Sequence, residues 1–311
     1  MNVTPSCGLV AVLGPTASGK THLAVRLALR IGGEILSADS RQVYRGMDIG
    51  TGKDLSEYQV GPVSVPFHLV DICEAGERFD LFHYLQAFGK AYDGVVARGR
   101  RPILCGGSGL YAEGILRNYQ LAEVPPDPAL RQRLERLPTL ALVAQLQSYG
   151  PLHNTTDTVS RARLIRAIEI AASSGGRPVD ARAPVPVAAI FAIQLPREVR
   201  RQRIASRLEA RLHSGLVEEV ETLLRGGVSQ DTMMYYGLEY RFVTMYLRGD
   251  LTYEQFVEQL TIAIQQFAKR QMTYLRGMER RGLAIQWLDG EQEADSLVDV
   301  MLRHLEAVEG L

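Results

Sequence analysis

Along the chain the first clear hydrophobic signal is an unbroken run, Leu9-Val10-Ala11-Val12-Leu13. So short a run without alternation predicts a strand buried on both faces. From His22 to Arg30 apolar positions recur at helical spacing, and Gly32-Gly33 supplies a C-terminal stop. Glu34-Ile35-Leu36-Ser37-Ala38 predicts a second buried strand, with a helix beginning at Arg41. Tyr44 to Lys53 is Gly-rich and charged and predicts a loop. Phe67 to Ile72 predicts a third strand, with Asp71 near its end. Between Phe79 and Arg98, Leu81, Tyr84, Leu85, Phe88, Tyr92, Val95 and Val96 recur at helical periodicity. Arg101 to Cys105 predicts the next strand, which runs into the turn Gly106-Gly107-Ser108-Gly109. Strands alternating with helices predict a mainly parallel sheet.

The pattern then changes. Pro125, Pro126 and Pro128 interrupt it, and Ala129 to Gln147 follows with helical, arginine-rich character. A polar loop, His153 to Asp157, leads to a second helix opened by Ser160 and closed by Gly175-Gly176. Arg177 to Pro186 has the composition of a linker, and strand character resumes from Val187 to Leu195. Arg197, Arg200, Arg201, Arg203, Arg207 and Arg211 come next, opposed by Glu198 and Glu209. Glu218 to Leu224 continues as helix. Met233 to Tyr240 is aromatic, and fits helix packing better than a base-stacking surface. Lys269, Arg270, Arg276, Arg280 and Arg281 make a second basic cluster. The tail beyond Asp289 is acidic and suggests no element.

Composition narrows the function classes. The 311 residues carry 35 Lys and Arg against 35 Asp and Glu. Zero net charge excludes a polybasic nucleic-acid coat but permits a local basic face. Cys7, Cys73 and Cys105 form no C-x-x-C pair, which predicts reduced thiols. The N-terminus lacks a secretory pattern and no apolar run approaches membrane-spanning length. A cytoplasmic monomer without a membrane association or a protein partner is expected.

The candidate chemistry begins at Gly14-Pro15-Thr16-Ala17-Ser18-Gly19-Lys20-Thr21, which is G-x-x-x-x-G-K-[ST] between a predicted strand and a predicted helix. Small residues let backbone N–H groups converge on phosphate oxygens, and the helix aims its positive end at the same anion. Lys20 adds a cation, and the Thr21 hydroxyl can ligate Mg²⁺. Asp39 stands at the carboxyl end of a strand, where open α/β sheets hold ligands; it either does chemistry or caps a helix. Asp71 is a candidate second partner for Mg²⁺, and His68 reads as structural. Ser108 sits where a second Gly-rich turn lets a ligand approach. Arg203 and Arg207, one helical turn apart, can stabilise charge on a leaving phosphate. Arg161, Arg163 and Arg166 can share a helix face. The expected architecture is α/β, a P-loop-type mainly parallel sheet flanked by helices over residues 1–116 and 187–311, with a helical insertion domain at 117–186. A small-metabolite kinase and a phosphate-releasing transferase acting on RNA both fit these motifs.

The blocks GPTASGKT, SADSRQVYRGMDIGTGK, GGSGLY, RLIRAIEI, QRIASRLEARLHSGLVEEV and FAKRQMTYLRG also resemble, in order, the tRNA dimethylallyltransferases. The resemblance implies transfer of a dimethylallyl group from dimethylallyl diphosphate to N6 of the adenine beside the anticodon, on its 3′ side (position 37), in the tRNA anticodon loop. Free adenine nucleotides are a less fitting acceptor, given the insertion. It implies that Gly14 to Thr21 hold the donor diphosphate, with Thr21 on Mg²⁺, and that Asp39 is the general base. It further implies that Ser40, Arg41, Gln42 and Ser108 line the tRNA side and that Arg203 contacts the leaving diphosphate. Arg131, Arg163 and Arg166 match positions facing tRNA. Two departures stand out: Ile264-Gln265-Gln266 replaces Thr-Arg-Gln, and GTGK replaces the common GTAK.

Overall fold

A computed structural model describes residues 8–121, 124–150, 160–174 and 183–310. The expected His153–Asp157 loop, the Gly175-Gly176 stop and most of the 177–186 linker lie outside them. The chain divides into two compact units, 1–117 with 185–311, and 118–184.

Among the described residues, the larger unit is built on eight strands: β1 (Leu9–Leu13), β2 (Gly33–Ser37), β3 (Gln59–Val60), β4 (Val63–Ser64), β5 (Phe67–His68), β6 (Arg101–Gly106), β7 (Val187–Gln194) and β8 (Gln286–Asp289). Six form one sheet in the order β5-β2-β6-β1-β7-β8. Every pairing in it is parallel; β3 and β4 form a separate antiparallel pair. β1, β2 and β6 are buried along their whole lengths, as continuous apolar strands must be when helices cover both faces. On one face, Leu23 and Leu27 of helix Lys20–Ile31 pack with Val298 and Met301 of helix Ala294–Glu309. On the other, Tyr84 and Phe88 pack with Tyr111, Met272 and Leu275. A third core joins the loop at Val43, Tyr44 and Met47 to Leu208, Val220, Tyr236, Tyr240 and Phe256 of later helices.

Several expectations need correction. The third strand spans only Phe67–His68, because Leu69 and Asp71 take left-handed backbone, φ 67° and 56°. Asp71 pairs with the buried ammonium of Lys53, which also donates to Asp48 at 2.6 Å. No helix follows Asp39: residues 40–43 form turns. The tail beyond Asp289 is structured, forming helix Ala294–Glu309 against the sheet.

The smaller unit holds helices Pro128–Leu134, Thr139–Ser148 and Arg161–Ser174 around Leu134, Leu142, Leu164 and Ile168. Pro138 splits the single helix expected over 129–147, since its ring blocks helix continuation. Glu169 is buried there and takes Arg131 Nε at 2.6 Å, Arg131 Nη2 at 2.8 Å and Arg166 Nη1 at 3.3 Å. Arg161 donates to the carbonyls of Glu135 and Leu137 at 2.8 and 2.6 Å. Arg163 is exposed.

Candidate active site

β1 ends in the loop that cradles an anion. Ala17 and Gly19 take left-handed backbone, φ 59° and 83°, and the helix starts at Lys20. This turns successive N–H groups inward. A Cβ on Gly14 would stand 2.6 Å from Ser18 Oγ, so glycine is required there. Ser18 Oγ is itself buried without a hydrogen-bond partner among the described residues. Such an orphan marks a place where a ligand atom completes the set. Burial lowers the pKa of Lys20, and Asp39 and other neighbours only partly offset this. A bound anion would restore the ammonium's stability.

β2 and β6 bring their carboxyl ends to the same place. The close approach is possible because Gly106 has no Cβ, which would meet Ala38 O at 2.2 Å. Asp39 Oδ1 accepts from Arg41 N at 2.9 Å, so it caps a turn while its carboxylate stays on the pocket wall. Ser108 Oγ accepts from Ser40 N at 2.9 Å and donates to Ser40 Oγ at 3.1 Å. Gln42 Nε2 donates to Gly52 O at 3.0 Å. Thr16 to Thr21, Asp39 to Gln42, Ser108 and Arg203 all line one pocket of about 590 Å³. Gly14 and Pro15 lie outside its lining. Arg131, Arg163 and Arg166 belong to the smaller unit.

Gln271, Glu219 and Glu239 shape the pocket although no motif in the sequence marks them. Gln271 Oε1 accepts from Thr16 N at 2.8 Å and its Nε2 donates to Gly107 O at 2.9 Å, tying the two glycine-rich turns together. Glu219 accepts from the N–H groups of Asp48, Ile49 and Gly50 at 2.8, 2.7 and 3.0 Å, and from Tyr240 Oη at 2.7 Å. This holds the Gly50–Gly52 wall. Arg207 pairs with Asp54. Arg211 pairs with Glu239 at 3.5 Å, and burial lowers the pKa of Arg211 while raising that of Glu239. Burial also pushes the Cys105 thiol up to about 12, so no thiolate nucleophile is offered.

This combination of an anion cradle, a carboxylate and arginines on one parallel-sheet edge agrees with what the chain matches. The family model described as IPP transferase spans residues 42–278, and one described as Isopentenyl transferase spans 7–60. The chain belongs to the IPP transferase family. A tRNA dimethylallyltransferase 1 of Porphyromonas gingivalis is 52% identical over 95% of this chain and 98% of its own length. A protein of the same name from Geotalea uraniireducens is 48% identical over 92% and 94%. The full-length tRNA isopentenylpyrophosphate transferase of Bacillus halodurans has a TM-score of 0.69 at 29% identity, covering 98% of each chain. A eukaryotic dimethylallyltransferase acting on tRNA shares the fold, with a TM-score of 0.72 at 19% identity over 91% of this chain and 73% of that one. Membership of the IPP transferase family sets aside the small-metabolite kinase that the P-loop alone allowed.

Proposed function

We propose that this IPP transferase moves a dimethylallyl group from dimethylallyl diphosphate to N6 of the adenine 3′-adjacent to the anticodon, position 37, of tRNA, releasing diphosphate. One observation carries the reading: the anion cradle at Thr16 to Thr21 and the carboxylate of Asp39 open on the same pocket. The N6–C1 bond forms as the C1–O bond breaks, and the N6 proton passes to Asp39. Exocyclic N6 is a weak nucleophile because its lone pair is delocalised, whereas an allylic C1 tolerates positive charge. Stabilising the departing diphosphate is therefore the main demand, met by backbone N–H groups, Lys20 and Arg203. Asp39 adds general-base help of about 10²–10⁴-fold. The acceptor base must be splayed out of its loop to reach the site.

Among the described residues, no three His, Cys, Asp or Glu converge on a metal site. Mg²⁺ nevertheless fits the donor chemistry. It takes oxygen ligands and is usually held by few protein groups together with substrate phosphates. Thr21 would hold it with the diphosphate, and the ion would neutralise charge on the leaving group. Ser40, Arg41, Gln42 and Ser108 would contact RNA at the pocket, and Arg163, with Arg131 and Arg166, would do so from the smaller unit. No helix among the described residues is long and apolar enough to cross a membrane. The reading puts the reaction in the cytoplasm.

Asp39→Ala separates the roles. Turnover should fall about 10²–10⁴-fold, while the Kd of dimethylallyl diphosphate, measured by calorimetry, stays within about twofold of wild type. Equal loss of turnover and donor binding would make Asp39 structural.

A further inference from the structure

Two aromatic rings at the open rim of the pocket are left unexplained by packing. Tyr235 and Tyr236 are neighbours in sequence with opposite environments. Tyr236 is 1% exposed, packs tilted against Tyr44 at 4.6 Å between ring centroids, and donates its hydroxyl to Glu77 O at 3.1 Å. Tyr235 is 58% exposed and also lines the pocket. Phe267 repeats the pattern. Its helix buries Ile264 and Ala268 but leaves Phe267 39% exposed on the pocket lining. Each exposed ring carries a guanidinium: Arg41 lies 5.0 Å from the Tyr235 centroid and Arg270 lies 5.9 Å from that of Phe267.

We infer that the Tyr235–Arg41 and Phe267–Arg270 pairs are two stacking steps that hold the nucleobases flanking the acceptor adenine. The inference rests on the reaction proposed above. Splayed bases stack on aromatic faces and on arginine planes, and the guanidinium also meets the adjoining phosphates. Both steps are coupled to the chemistry. Arg41 N bonds Asp39 Oδ1, so the first step adjoins the acid at N6. Arg270 precedes Gln271, which bonds the P-loop at Thr16, so the second lies on the donor side. An apolar prenyl chain would also welcome aromatic rings, but the diphosphate attached to it is already met by the P-loop, Lys20 and Arg203, which leaves the cation beside each ring without a partner on the donor. The paired arginines favour a base attached to a phosphate backbone.

The test uses an unmodified anticodon stem-loop RNA with 2-aminopurine beside the acceptor adenine. In the wild type its fluorescence is quenched on binding. Tyr235→Ala and Phe267→Ala should each weaken that quench and raise the RNA KM by about fivefold to a hundredfold. The Kd of dimethylallyl diphosphate should stay within about twofold, and Tyr235→Phe should recover most of the loss, because the ring and not the hydroxyl does the work. An unchanged quench and RNA KM would overturn the inference. A donor Kd that rises in step with the RNA KM would also overturn it, placing the rings against the prenyl chain. Fluorescence does not depend on turnover, so the stacking steps are scored separately from the reaction. A wild type that binds RNA with quenching but transfers no dimethylallyl group would sink the proposed function instead.

Discussion

Gly52 takes φ +65°, and a Cβ there would stand 1.7 Å from Arg211 Nη2 and 2.9 Å from Arg207 Nη2. The glycine in GTGK thus makes room for a guanidinium against the pocket wall. Nothing in the local sequence announces this, because Arg211 is far along the chain and its buried partner Glu239 further still. Gln271 and Glu219 were silent for the same reason: their partners lie 255 and 169–171 residues away. The P-loop residues and Asp39 were legible because their chemistry is local, a fixed spacing at the end of an apolar run. Gly52→Ala should cost about 1–2 kcal/mol from the left-handed backbone alone, and should raise the KM for dimethylallyl diphosphate several-fold as Arg211 is displaced. Melting temperature and donor KM measured together check this. Lower stability with an unchanged donor KM would show that the wall at Gly52 and Arg211 does not bear on donor binding.

Elements are held to one another by buried carboxylates. Glu34 of β2 accepts from Arg98 Nε at 3.0 Å and pairs with His68 of β5 at 2.7 Å. These bonds, from Arg98 first and then His68, hold its carboxyl below the usual value of 4.5 despite burial. For Glu113, burial works upward, but Arg281, Tyr274 and Arg117 outweigh it. Such lowered groups stabilise the fold fully above about pH 4.5, and the contribution is lost as pH falls through the lower folded-state value. Glu57 and Glu239, raised by burial, act in the opposite sense, so a single-site comparison is the informative one. Glu34→Gln should lower the melting temperature most above pH 4.5, and the gap from wild type should close as pH falls toward 3. A gap independent of pH would show that Glu34 acts through packing alone. Element patterns explain what the sequence revealed at this scale. β1 and most of β7 are unbroken apolar runs, and β2 and β6 each carry an apolar centre, Ile35-Leu36 and Ile103-Leu104. The last helix hid its apolar positions, Leu297, Val298, Met301 and Leu305, among acids. The third strand is shorter than its apolar run suggests because two left-handed residues, Leu69 and Asp71, end it.

At the scale of the molecule, a parallel sheet gathers loops from β1, β2 and β6 at the carboxyl ends of its strands, and helices from the C-terminal half complete the pocket. Zero net charge is compatible with an RNA substrate because Arg41, Arg203, Arg207, Arg211, Arg241 and Arg270 gather at one pocket, while acids elsewhere balance the total. The order of blocks along the chain pointed to the family before the fold did; the pocket's far wall required the fold, since it comes from helices whose sequence reads as ordinary packing. The most direct measurement is transfer of labelled dimethylallyl diphosphate to unmodified tRNA, with Mg²⁺, using tRNA that has adenine at position 37 and the same tRNA with that adenine replaced. The account predicts label in the first RNA, none in the second, and diphosphate released in step with transfer. Label that persists when the adenine is replaced, or that never enters RNA, would contradict it.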